Sequence, residues 1–151
     1  MNQQFIQGVQ IQWDKIHAYS YLRKIPALQF GENLFFNKAI TFFVGENGTV
    51  LALAQGSFRP GGLYLLDEPE AALSPQRQLT LLIEINRLAK QGAQFIIASH
   101  SPILLGIPGA EILSFDDGVI HKCEYTETDS YQVTEMFINN REYLLKRLLD
   151  E

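Results

Sequence analysis

Three short apolar runs, each broken off by a polar turn, constrain this chain more than any other feature. They are Ala39-Ile40-Thr41-Phe42-Phe43-Val44 before Gly45-Glu46-Asn47-Gly48, Leu63-Tyr64-Leu65-Leu66 before Asp67-Glu68-Pro69, and Gln94-Phe95-Ile96-Ile97-Ala98 before Ser99-His100-Ser101-Pro102. Runs this short, stopped by Gly or Pro, read as strands buried on both faces. Between the second and third lies a complete helix signature. Ser74 offers an N-cap hydroxyl, Pro75 suits the first helical position, Leu79, Leu82, Ile83 and Leu88 supply an apolar surface, and Gly92 stands where a helix ends. Buried strands separated by helices predict an α/β fold with a parallel sheet.

The remaining segments are read more coarsely. Val9 to Trp13 alternates apolar and polar residues and predicts a half-buried strand. Ile16 to Phe30 is mixed, with Pro26 arguing for extended or looping chain, and Val50 to Gln55 has room for a helical turn or two. Ile112–Phe115 and Val119–Tyr125, joined through Asp116-Asp117-Gly118, predict a hairpin. Tyr131 to Leu149 predicts a terminal amphipathic helix that covers the core, its register interrupted at Asn139-Asn140.

Composition narrows the class. With 151 residues the chain is expected to form one domain, 1–151, and 46% hydrophobic content excludes a disordered one. Twelve Lys+Arg against 17 Asp+Glu give a net charge of −5, so charge does not favour a nucleic-acid or anionic-membrane partner. The single cysteine, Cys123, has no internal disulfide partner, which suits a reducing cytoplasm, and it lies in the expected hairpin without a partner His or Lys, so no reactive thiol is expected. The start of the sequence has no basic segment followed by an apolar one, so no signal peptide is expected, and no apolar run is long enough for a membrane span.

In open α/β sheets ligands gather at the carboxyl ends of the strands, so Gly45-Glu46-Asn47-Gly48, Asp67-Glu68 and Ser99-His100 are expected to converge. Successive strand residues point to opposite faces, which would let one carboxylate meet a metal while its neighbour meets a water. His100, 33 positions after Asp67, would reach a phosphate or that water. His17 and His121 have no such company and read as surface or edge residues. Tyr19, Tyr21 and Arg23 are candidates for stacking an adenine, or else for packing in the N-terminal sheet.

Taken together these stretches resemble the ABC-type P-loop ATPases, and among them the stand-alone, SMC- or RecF-like bacterial AAA/ABC proteins. Leu63 to Glu70 is similar to a Walker B strand, Ala71-Ala72-Leu73-Ser74 to a D-loop, Phe95 to Pro102 to the histidine-switch strand, and Phe42 to Gly48 to the opening of a Walker A loop. The resemblance implies a P-loop NTPase-type parallel sheet flanked by helices, with a small antiparallel N-terminal sheet. It also implies ATP and Mg²⁺ as ligands. Asp67 would hold the metal through water, Glu68 would polarise the attacking water, and His100 would sense the γ-phosphate. Gly45, Glu46, Asn47, Gly48 and Thr49 would cradle phosphate. The family dimerises head to tail, and some of its members act on DNA.

The sequence departs from the family at one place. A P-loop reads G-x-x-x-x-G-K-[ST], but here Val50, Leu51 and Ala52 stand where Gly, Lys and Ser or Thr belong. Asp67 follows Gly45 by only 22 positions, so the Q-loop, helical subdomain and signature of the family are absent from the sequence. The expectation is therefore a catalytically impaired ATPase-family domain. The alternative is a non-enzymatic interaction module or a deletion fragment. Apolar residues around Val50 to Phe58 are expected to drive self-association as a homodimer.

Overall fold

The computed structural model describes residues 4–29, 33–44, 59–71 and 73–149. Its centre is a five-stranded sheet built from β3 (Ile40–Val44), β4 (Leu63–Asp67), β5 (Gln94–Ala98), β6 (Glu111–Ser114) and β7 (His121–Cys123). The order across the sheet is β4-β5-β3-β6-β7, with β4, β5, β3 and β6 parallel and β7 antiparallel at the edge. A separate antiparallel pair joins β1 (Gly8–Val9) to β2 (Leu34–Phe35). The fold is α/β, consistent with a P-loop NTPase-like architecture.

Helix α2 (Pro75–Lys90) starts and ends where its sequence directs. Ser74 Oγ accepts the N–H of Arg77 at 3.4 Å, and Gly92 at φ 89° lets Gly92 N donate to Ala89 and Ala93 N donate to Leu88. That paired closure needs a left-handed residue, which glycine adopts without a Cβ penalty. Ile85, Leu88 and Ala89 of α2 bury against Ile40, Phe42, Leu66, Phe95 and Ile97. Helix α3 (Pro102–Leu105) adds Leu104 and Leu105 to the same core. The opposite face of the sheet packs Ile96 and Leu113 on Phe36, with Ile6, Leu34, Phe43 and Ile120 alongside. Gln94, buried in β5, fastens the N-terminal segment there: its Oε1 accepts Ile6 N at 2.9 Å and its Nε2 donates to Ile6 O at 2.8 Å.

Several expectations are corrected. The strand expected over Val9–Trp13 is only Gly8–Val9, and Trp13–Lys15 forms a 3₁₀ turn. The segment expected to loop between Ile16 and Phe30 contains a 3₁₀ turn at Tyr21–Lys24 and a short helix α1 (Pro26–Gln29). Pro26 opens that helix because a first-turn N–H needs no intrahelical partner. Strand β4 is an edge strand rather than a fully buried one: Leu63 and Leu65 are 37% and 42% exposed, and only Leu66 is buried. Helix α4 (Asp129–Leu148) forms as expected and breaks at Asn140, whose φ of −132° is non-helical, but none of its residues is buried. It does not cover the core. The hairpin is found, with β6 and β7 joined through the 3₁₀ turn Asp116–Gly118. The expected helical turns at Val50–Gln55 lie outside the described residues.

Candidate functional site

The parallel register aligns the strand ends. Asp67 pairs with Ala98, Ala98 with Phe43, and Phe43 with Leu113, forming one row across four strands. Asp67, the Ser99-His100 turn and Val44, the last residue before Gly45, therefore meet at a single edge of the sheet. Gly45, Glu46, Asn47, Gly48 and Thr49 themselves lie outside the described residues.

Asp67 is the last residue of β4 and is half-buried, with Oδ1 enclosed and without a hydrogen-bond donor. Glu68 is different in kind. It is the one described non-glycine residue at positive φ, 42°. Its N–H still donates to Ala98 O at 2.8 Å, but the chain then turns, with Ala71 N donating back to Glu68 O at 3.0 Å. A left-handed non-glycine residue costs about 1–2 kcal/mol, and such strain concentrates where a side chain must be aimed. The two carboxylates are thus separated by a turn rather than by strand alternation, a correction to the sequence reading. Glu68 faces solvent with Oε1 4.0 Å from Nε2 of His100, both side chains about half exposed.

His100 is held by a residue that sequence reasoning missed as a site component. Glu70 Oε1 accepts three donors: Ser99 Oγ at 2.7 Å, His100 N at 2.9 Å and Ser101 N at 3.0 Å. Ser101 Oγ in turn donates to Gln78 Oε1 at 2.6 Å and accepts the N–H groups of Ile103 and Leu104, capping α3. A carboxylate that collects several converging donors fixes the turn that presents the imidazole. The sequence signal for this role is a third carboxylate, three positions after Asp67, opposite a serine-flanked histidine.

The other candidates fall elsewhere. Arg23 donates to the carbonyls of Trp13, Ile16 and His17 and lies over the Trp13 ring at 5.5 Å, so it braces the N-terminal segment. Tyr19 is nearly fully exposed, beside His17. Burial, then the nearby Glu127, Asp116 and Glu124, pushes the Cys123 thiol up, away from the thiolate a reactive cysteine needs. Among the described residues no His/Cys/Asp/Glu cluster of metal-binding geometry occurs, and no helix is long and apolar enough to cross a membrane.

Residues 50–106 match the family model described as AAA domain, putative AbiEii toxin, Type IV TA system. This stretch is similar to a P-loop, AAA-type ATPase domain. The match spans β4, α2, β5 and α3, and so includes Asp67, Glu68, Glu70 and His100. It supports a nucleotide-binding, ATPase-type domain at the level of the family. No curated protein matches the chain.

Proposed function

We propose that this chain is a shortened, catalytically impaired relative of the ABC-type, SMC/RecF-like ATPases, working in the cytoplasm. The observation that carries the reading is the meeting of Asp67, Glu68 and His100 at adjacent parallel strand ends, with Glu68 strained outward to within 4.0 Å of His100. Two carboxylate oxygens there, Asp67 Oδ1 and Glu70 Oε2, are buried without donors. Orphan anionic oxygens fit a hard divalent cation such as Mg²⁺. When bound, Mg²⁺ supplies charge neutralisation to the phosphates. In this reading Asp67 holds the ion through water, Glu68 orients the attacking water, and His100, set by Glu70, faces the γ-phosphate.

The phosphate side of the site does not fit as well. Leu51 and Ala52 supply neither the ammonium nor the hydroxyl of a complete P-loop, leaving Gly45, Glu46, Asn47, Gly48 and Thr49. Losing one preorganised electrostatic donor costs about 2.7–4 kcal/mol of barrier, and such losses need not add. Weak nucleotide binding with very slow or no turnover is the expected behaviour.

Thermal denaturation with Mg-ATP tests binding. Nucleotide at about 100 times Kd adds about 2.7 kcal/mol, a rise of roughly 5–11 °C for a domain of this size. Phosphate release on the order of one per second, lost in Glu68→Gln, would overturn the impairment. A melting temperature that no nucleotide shifts would instead favour the second reading, a non-enzymatic interaction module. The uncovered helix α4 is the observation on that side.

A further inference from the structure

Helix α4 is out of keeping with the rest of the fold. From Glu135 to Tyr143 every residue is exposed, and the run contains Met136, Phe137, Ile138 and Tyr143. Val133, Leu148 and Leu149 are exposed as well. The first turns are anchored: Tyr125 stacks edge-on against Tyr131 at 4.8 Å and donates its hydroxyl to Pro102 O at 2.8 Å. Val133, Met136 and Phe137 stand at helical spacing on one stripe, and Leu144 and Leu148 extend it beyond the break at Asn140. A solvent-exposed helix needs no such stripe, whereas a helix that pairs does.

We infer that α4 is a self-association surface, on which a second copy of this chain lays its own α4 antiparallel. The charge distribution selects both the partner and the direction. Within α4 itself the first half carries Asp129 and Glu135 and no Lys or Arg. Arg141, Lys146 and Arg147 lie in the second half against Glu142 alone, with Asp150 and Glu151 following the helix in the sequence as Glu124 and Glu127 precede it. Antiparallel copies place each acidic half beside a basic half, and parallel copies would place like beside like. A two-fold axis near Ile138 brings Asp129 level with Arg147 of the other copy, Val133 with Tyr143, and Met136 with Asn140. Asn140, which donates Nδ2 to Met136 O at 3.3 Å, then sits near the axis, where a polar residue sets register. The inference rests on α4 and not on the Val50–Phe58 stretch of the sequence, and it is independent of the ATPase reading.

Sedimentation equilibrium on the full chain under reducing conditions tests it. The wild type is expected to show a monomer–dimer equilibrium that weakens as salt rises. Val133→Glu and Phe137→Glu should each raise the dissociation constant at least about tenfold, while near-ultraviolet circular dichroism and the melting temperature of the dilute protein stay unchanged. A wild type that remains monomeric at high micromolar concentration overturns the inference. So does a dimer indifferent to both substitutions, and a dimer that tightens with salt overturns the antiparallel direction.

Discussion

The carboxylate of Glu70 accepts the backbone N–H of His100 at 2.9 Å, tying the end of β5 to the turn after β4. Together with Ser99 Oγ and Ser101 N it forms a three-donor clamp on one oxygen. Glu70→Ala strands those donors in a partly enclosed place. Hydrogen bonds to a charged group are worth about 1.5–3 kcal/mol, so a melting temperature lower by roughly 3–12 °C is expected. Glu70→Gln keeps one acceptor oxygen and should lose less. Calorimetry of the two variants checks the ranking, and equal losses would show that the clamp does not act as described.

Backbone strain at Glu68 has its own consequence. Its φ of 42° suits glycine better than any residue with a Cβ. Glu68→Gly should therefore be more stable than Glu68→Ala by about 1 kcal/mol, measured by urea denaturation. If Ala matches or exceeds Gly, the left-handed conformation is not a cost that this turn carries.

Glu111 links stability to pH. Burial pushes its carboxyl up, but the hydrogen bond from Lys122 and those from the backbone and side chain of Asn37 outweigh burial, leaving it below its ordinary 4.5. A carboxyl depressed in the folded state stabilises above its unfolded pKa and loses that contribution as pH falls through the folded one. Stability should therefore decline below about pH 4.5, and decline less steeply in Lys122→Met. At neutral pH Lys122→Met should cost about 1 kcal/mol, small because the ammonium is largely exposed. Melting temperatures from pH 3 to 7 in both proteins check the sign.

Helices α2 and α4 should answer truncation oppositely. Leu88 is fully buried, so Leu88→Ala should cost about 2–5 kcal/mol. Ile138 is 71% exposed, so Ile138→Ala in dilute protein should stay within about 0.5 kcal/mol of wild type. A large loss at Ile138 would mean that α4 is packed after all.

What the sequence determined by itself was local. The three apolar runs, the Ser74-Pro75 start, the Gly92 stop and the break at Asn140 are each written in a few neighbouring residues, because caps, glycine conformations and buried strands depend on short-range sterics and hydrogen bonding. Asp67, Glu68 and His100 were legible for the same reason, as polar residues that end apolar strands. Tertiary structure alone decided the rest. That β4 lies at an edge, with Leu63 and Leu65 uncovered, follows from strand order, which apolar runs do not encode. That Glu70 clamps the histidine turn requires β4 and β5 to be neighbours, a contact between residues about thirty positions apart. An amphipathic pattern such as that of α4 states only that a helix has an apolar side. Whether its own chain covers that side depends on where the preceding turns aim the helix, and here they aim it away from the core.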